Sequence, residues 1–366
     1  MGIVFHAPDT PAAVSDREAR AIRIARVLCI TGIVYVHAWT GRGGDELAQL
    51  ATTGQGVFRI ALMDLFGRSS VPLLSIISGF LATISLQRRS IGRFWLSKLQ
   101  SILLPMLIWN GLAILLVSGA AMRGWLIAPV PSSVDWVVNE MLALHRPNHI
   151  NVQMPFLRDL LFCMLVAPVV TRLSNGLLIL GMALLLTFDG AISASTVMLR
   201  PTILLFFIIG ILIARHRGRS MLGDRYPVVV ACAFLIAVLT AIALETVARE
   251  WGAAHPRACM AAGLFLRVAG AWLFWQLSWR LVRTPMGRAI ERWEPRMFLL
   301  FCSHLILIWL LAPVFMTFVG PLGAFGYPLL LAMHPLLALA FAGVIACMIV
   351  RRPTLARALS GRRAVA

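Results

Sequence analysis

Arg26 and His37 stand eleven residues apart in the first long apolar stretch of the chain. Ionisable side chains within such a stretch are costly to keep and are by default candidate functional groups. On a helix, eleven residues make about three turns plus ~20° and rise ~16 Å, so the two side chains lie nearly in line. This places a permanent cation near one membrane surface and a titratable imidazole deep in the same wall. An imidazole ionises near neutrality and suits a proton acceptor. A guanidinium offers charge-assisted hydrogen bonds to an anionic or carbonyl oxygen. The plainer alternative makes Arg26 an anchor that reaches the headgroups and His37 a hydrogen-bonded histidine at the outer helix end.

The elements that must position these residues are membrane helices. Hydrophobic residues make up 60% of the 366 and charged residues only 13%. Mean hydropathy is +0.85. Soluble domains carry about a quarter charged residues, so this composition is that of a membrane protein. Ten candidate spans follow, at roughly 22–40, 69–86, 100–120, 155–171, 175–189, 199–214, 227–247, 259–280, 296–319 and 328–350. The expected fold is all-α: a single polytopic domain over 1–366 with about ten transmembrane helices around a central cavity. The net charge of +18 comes from basic residues in alternate short connections, among them Arg17–Arg26, Arg88–Lys98, Arg280–Arg296 and Arg351–Arg363. That pattern is positive-inside topology, not a nucleic-acid footprint. It puts both termini in the cytoplasm, with tails at 1–21 and 351–366. The polar N-terminus does not read as a cleavable signal peptide.

Six cysteines (Cys29, Cys163, Cys232, Cys259, Cys302, Cys347) are scattered without metal or disulfide spacing, so no metal site is expected. The longest outer connection, 121–154, carries Trp125, Trp136, His145 and His149 and is expected to be functional or partly helical. Gly56–Gly67 has apolar residues at helical spacing and is expected as an interfacial helix leading into span two.

Further pieces appear in order along the chain. They are Ser78-Gly79-Phe80-Leu81 in span two, Phe94-Trp95-Leu96-Ser97-Lys98 before span three, Met154 to Leu160 opening span four, Leu205 to Gly210 in span six, and Phe301-Cys302-Ser303-His304 in span nine. Together with Arg26 and His37 they resemble the integral-membrane acyltransferase-3 family, whose members O-acylate bacterial glycans, including a xanthan-type branch that decorates exopolysaccharide. The resemblance covers nearly the whole chain. It departs from the family pattern at Lys98 and Ser101, where many members carry two arginines, at Pro155-Phe156-Leu157, and at Phe301, where a tyrosine is usual. No large domain is expected after span ten, so transfer would take place within the membrane domain.

The resemblance implies an O-acyltransferase of the bacterial inner membrane. It would use acetyl-CoA as acyl-donor substrate, with no bound cofactor, and as acceptor a glycan or lipid-linked oligosaccharide. The surrounding lipid bilayer and other polysaccharide-assembly proteins are the expected partners. His37 would take the proton of the attacking sugar hydroxyl, and Arg26 would hold a phosphate or pantetheine oxygen of the donor. Arg88, Arg89, Arg93 and Lys98 are candidates for the donor's phosphates, or else plain topology signals. Arg158 and Asp159 are candidates for binding sugar or orienting His37; adjacent helix residues do not face each other, so an ion pair between them is not expected. His304 is a candidate cavity wall or proton path, or else a satisfied core histidine, and Ser78 a cavity residue. Arg267 needs an acceptor, Glu245 or Asp189, and His334 is expected to satisfy a carbonyl freed by Pro335. Two readings of other classes stay open: a transporter or flippase of lipid-linked sugars using the buried Arg and His, and a noncatalytic subunit of a glycan-assembly complex.

Overall fold

The computed structural model describes residues 14–188, 197–216, 226–246 and 248–361. Among these residues all regular structure is helical. Helix α1 (Asp16–Val36) is opened by a reciprocal cap: the Glu18 amide donates to Ser15 Oγ at 3.3 Å, and the Ser15 amide donates to the Glu18 carboxylate at 2.8 Å. The segment expected as a loose tail therefore becomes helical six residues before the expected span. Helix α2 (Gly44–Leu50) is short. Helices α3 (Gly54–Arg88) and α4 (Ile91–Met122) are long, and each is interrupted by π-helical turns. Next come α5 (Val134–Leu142), α6 (Met154–Val170), α7 (Asn175–Thr187), α8 (Thr202–Arg215) and α9 (Pro227–Glu245). The chain closes with α10 (Arg249–Ala254), α11 (Pro256–Leu281), α12 (Pro285–Glu291), α13 (Glu294–Phe318), α14 (Tyr327–Ile349) and α15 (Pro353–Ser360). A helix lies on each of the ten expected spans. Among the described residues six helices are long and apolar enough to cross a membrane: α3, α4, α9, α11, α13 and α14.

Two of the sequence motifs turn out to be packing devices. A Cβ placed on Gly79 would lie 2.0 Å from the Phe207 carbonyl oxygen, and one on Gly210 would lie 2.1 Å from the Ile76 carbonyl oxygen. The Ser78-Gly79-Phe80 and Phe207-to-Gly210 stretches are thus two sides of one crossing between α3 and α8, where backbone meets backbone. Small residues permit that approach in a bilayer, where packing rather than hydrophobicity drives association.

Gly56–Gly67 is helical and leads into span two as expected, forming the first half of α3 without a break. The wider turn at Met63–Arg68 turns Asp64 fully inward, where Arg68, four residues on, meets it at 3.0 Å. Phe66 packs between Tyr35 and Phe274, so this turn of the helix faces protein. Arg68 also binds Glu245 at 2.5 Å. Of the two acceptors expected for Arg267, Glu245 is engaged by Arg68, and Asp189 lies outside the described residues.

The outer connection 121–154 is ordered around the C-terminal end of α5. Buried Glu140 accepts from the His149 amide and from its ring nitrogen, both at 2.6 Å, and from the Ile150 amide at 3.2 Å. Trp309 and Trp125 tie this segment to α13 through the carbonyls of Ile150 and Leu310. At the other end of the chain, the segment expected as a C-terminal tail forms α15 and packs inward. The Trp109 indole donates to the Leu359 carbonyl at 3.0 Å, and Ser360 is fully buried.

Candidate active site

Helices α1 and α13 run side by side in the same direction and are joined at two rungs. Arg26 Nη1 meets Glu294 Oε1 at 3.0 Å. Eleven residues further along α1, and ten along α13, the rings of His37 and His304 lie with centroids 5.4 Å apart and Nδ1 of His37 3.5 Å from Nε2 of His304. At 1.5 Å per residue the rungs stand ~15–16 Å apart along the pair. Arg26 and His37 therefore do share a wall, and His304, expected as a cavity wall or proton path or else a satisfied core histidine, is the direct neighbour of His37.

The surrounding carbonyls select the tautomers. His304 Nδ1 lies 3.0 Å from the Leu300 oxygen and 2.9 Å from the Phe301 oxygen, so it must be the donor and Nε2 keeps the lone pair. His37 Nδ1 lies 3.1 Å from the Ile33 oxygen and likewise donates, sharing its hydrogen between that carbonyl and His304 Nε2. The free lone pair of His37 is then on Nε2. This is the arrangement of a proton acceptor whose second nitrogen is held by a fixed partner. His304 is completely buried and His37 half-buried at the end of α1, which it caps.

On the Arg26 side of this pair a cavity of about 140 Å³ is lined by Arg26, Ile30, Ser78, Lys98, Ser101 and Met164, and ends at Phe156 and Phe301. Those two rings pack edge-on with centroids 5.8 Å apart. Phe301 sits one turn before His304, with ring centroids 6.3 Å apart. The space is well below the ~300–1,000 Å³ of a pocket that swallows a whole ligand. It fits a slender arm laid along α1 toward the histidines. The structure thus gathers Arg26, Ser78 and Lys98 around one space. Arg88, Arg89 and Arg93 stand exposed at the turn between α3 and α4 and do not line it. A separate groove of about 360 Å³, bounded by Ile22, Phe80, Phe206, Trp272 and Trp275, is almost wholly apolar and offers no reacting group.

Arg158 and Asp159 depart from expectation. Arg158 Nη1 meets Asp159 Oδ1 at 2.7 Å, although the residues are adjacent. The long guanidinium arm folds back to the fully buried carboxylate and also donates to the carbonyls of Val197, at 3.0 Å, and Leu144, at 3.2 Å. Asp159 in addition accepts from the amides of Leu199, at 3.3 Å, and Arg200, at 2.8 Å. The pair is a clasp that fixes the approach to α8. His334 also differs from expectation. It is buried against the ring of Phe315, and neither ring nitrogen has a hydrogen-bond partner among the described residues, so no carbonyl freed by Pro335 is satisfied by it.

Two residues that the sequence reading left aside belong to the site. Glu294 is the acid that takes Arg26; its signal was a lone carboxylate opening a span inside a basic loop, where a helix N-terminus favours negative charge. Arg200 is the cation that the Asp159 clasp delivers. Its side chain is accessible and lies within electrostatic range of His37. Its signal was an arginine just before Pro201, at the end of span six that the expected topology places outside.

The family profile described as "Acyltransferase domain" matches residues 20–352. A relative, the succinoglycan biosynthesis protein ExoH of Rhizobium meliloti (strain 1021), is 29% identical over 364 residues, covering 93% of this chain and 92% of its own length. No solved structure matches the chain. With the profile spanning both rungs of the α1–α13 ladder and nearly all of the helices that position them, the chain belongs to the acyltransferase-3 family.

Proposed function

We propose that the protein is an O-acyltransferase of the bacterial inner membrane. It moves an acetyl or other short acyl group from acyl-CoA to a sugar hydroxyl of a surface polysaccharide or exopolysaccharide, or of its lipid-linked precursor. The chain crosses the bilayer ten times, with both termini in the cytoplasm, as the distribution of arginines favours. The single observation that carries this reading is the ladder: a cation–carboxylate rung at the arginine-rich end and an imidazole pair ~15–16 Å away, with a narrow cavity beginning at the first and ending one helical turn from the second.

The donor enters from the arginine-rich face. Its thin arm runs between Arg26, Ser78 and Lys98, while the nucleotide stays outside, where Arg88, Arg89 and Arg93 are within reach of solvent. The Phe156–Phe301 contact yields to admit the thioester toward His37. The sugar hydroxyl, approaching from the other face, attacks the thioester carbon and gives its proton to His37 Nε2. The imidazolium so formed is stabilised by the lone pair of His304 Nε2, which accepts from His37 Nδ1. Arg200 provides a positive charge beside the tetrahedral oxyanion. Collapse of that intermediate breaks the carbon–sulfur bond, and the proton on His37 passes to the departing thiolate. The name of the relative, a succinoglycan biosynthesis protein, favours an exopolysaccharide acceptor.

The test is transfer of radiolabelled acetyl from acetyl-CoA to exopolysaccharide or its lipid-linked unit by vesicles holding the full chain. Label should reach the glycan with the wild-type protein and not with His37→Ala. Absence of transfer by the wild type from acetyl-, propionyl- and succinyl-CoA alike would remove the acyl-CoA reading. Movement of the glycan without any acyl-CoA would favour a flippase.

A further inference from the structure

A second cavity, of about 420 Å³, lies at the His37 end of the molecule but on the other side of α3. Its height is fixed by contacts already described: the first half of α3 packs against the C-terminal half of α1, and Glu245 ends α9 against Arg68. Small residues of α2, α10 and α11, including Ala48, Gly252 and Ala262, leave the space open. One wall is aliphatic, with Leu47, Ile60, Leu244 and Leu266. The other carries Arg59, Arg68 and Glu245.

The charges on that wall are not equivalent. Arg68 is held between the carboxylates of Asp64 and Glu245 through Nε and Nη2. Arg59 forms no ion pair with any described residue, although it lies within electrostatic range of Asp64; its Nη1 donates to the Met63 sulfur, a weak acceptor, and its buried Nε has no hydrogen-bond partner among the described residues. A guanidinium that finds only a sulfur acceptor on a half-buried wall is under-satisfied, and its planar fork matches a phosphate or carboxylate. The aliphatic wall opposite it calls for an anion attached to an apolar body. Tyr327, whose hydroxyl donates to the Trp39 carbonyl at 2.9 Å, lies within electrostatic range of Arg59.

We infer that this cavity binds the phosphate of a membrane lipid, with Arg59 holding the phosphate oxygens and Leu47, Ile60, Leu244 and Leu266 the first carbons of the chain. The Arg68–Glu245 pair borders the phosphate and offers its remaining hydrogen-bonding positions to whatever the phosphate carries. The site stands apart from the transferase reading: it requires a lipid phosphate and makes no demand on acyl transfer. Two sources fit the chemistry, an ordinary anionic phospholipid and a polyisoprenyl phosphate that carries a glycan.

The experiment is equilibrium binding of tritiated farnesyl phosphate to the full chain in detergent, with farnesol and inorganic phosphate as comparisons. Binding should be saturable, should be weaker for farnesol, and should fall about tenfold or more in Arg59→Gln. Ala262→Phe, which keeps the charge and fills the space, should weaken it similarly; this variant decides the matter if Arg59→Gln does not elute as a folded monodisperse protein. Competition by unlabelled phosphatidylglycerol or by a polyisoprenyl phosphate then names the source. Wild-type binding by folded Arg59→Gln or Ala262→Phe, equal binding of farnesol, or displacement by inorganic phosphate as effective as by either lipid would overturn the inference.

Discussion

The two ends of the α1–α13 pair solve the same problem in opposite ways. At the first end, Arg20, Arg23 and Arg26 meet Glu291 and Glu294 in ion pairs of 3.0, 2.6 and 3.0 Å, with every partner partly exposed. At the second end the two imidazoles bond to each other and to the carbonyls of Ile33, Leu300 and Phe301; among the described residues no carboxylate bonds to them, and Arg200 is the nearby charge. Full charges are kept where water reaches them, because burying an ion costs more than its pairing returns. Neutral groups with fixed hydrogen bonds are used where water is scarce. Under the proposed function, the difference fits a first end that recognises and anchors and a second end that moves one proton between neutral rings, with Arg200 as the charge nearby.

The sharpest way to break this comparison is at the second end. His37→Ala should lower transfer about a hundred- to ten-thousand-fold, the range expected for losing a general base, with acyl-CoA binding unchanged. The measurement is kcat for acetyl transfer in vesicles beside direct binding of labelled acetyl-CoA. Retained turnover would leave the imidazole pair without a chemical role. His304→Ala should cost less, about ten- to a hundred-fold in kcat with little change in KM, because it removes the partner that orients His37 and leaves the base itself. An effect confined to KM would assign His304 to the cavity wall.

The first end should respond in the opposite sense. Arg26→Ala is expected to raise KM for acyl-CoA about tenfold, with kcat largely kept, since a charge-assisted contact to the donor is lost before the chemical step. Glu294→Gln leaves Arg26 in place but unpaired. It should shift KM less and make it more sensitive to ionic strength, because the freed guanidinium is screened by salt. Equal losses of kcat in Arg26→Ala and His37→Ala would erase the distinction between the ends.

Much of this division is written in residue spacing, and some of it is not. The in-line placement of Arg26 and His37 follows from helical periodicity alone, and the helices on all ten apolar segments follow from hydropathy. His304 was legible as an ionisable residue in an apolar run and as part of the span-nine piece of the resemblance. That it sits on His37 depends on α1 and α13 running in parallel, which no local pattern encodes. Gly79 and Gly210 belonged to recognisable motifs, yet their reason, a carbonyl 2.0–2.1 Å from an added Cβ, exists only once α3 and α8 cross. Arg158 and Asp159 misled because the rule for adjacent helix residues ignores how far an arginine can fold back. Two backbone amides from the segment before α8 complete the carboxylate's shell, and these come from forty residues away.

The smallest expected effect tests whether the first end is an anchor as well as a recognition site. Glu291 closes α12 onto α1 through Arg20 and Arg23. Burial works to raise its carboxyl, but the hydrogen bonds and charges of the two arginines outweigh it and hold the group below its ordinary value. A carboxylate whose folded value is depressed binds fewer protons folded than unfolded, so its contribution is complete above the unfolded value near 4.3 and is lost as pH falls through the lower, folded one. Glu291→Gln should therefore lower the thermal midpoint of the detergent-solubilised protein slightly at pH 7, by a contribution of about 1 kcal/mol or less for pairs this exposed. The gap from wild type should close as the pH is taken below about 4. Raised salt should narrow the same gap at pH 7, whereas it should leave any loss of stability in His304→Ala unchanged, because that contact carries no net charge. A gap that widened on acidification, or that ignored salt, would mean that Glu291 works through packing and not through its charge.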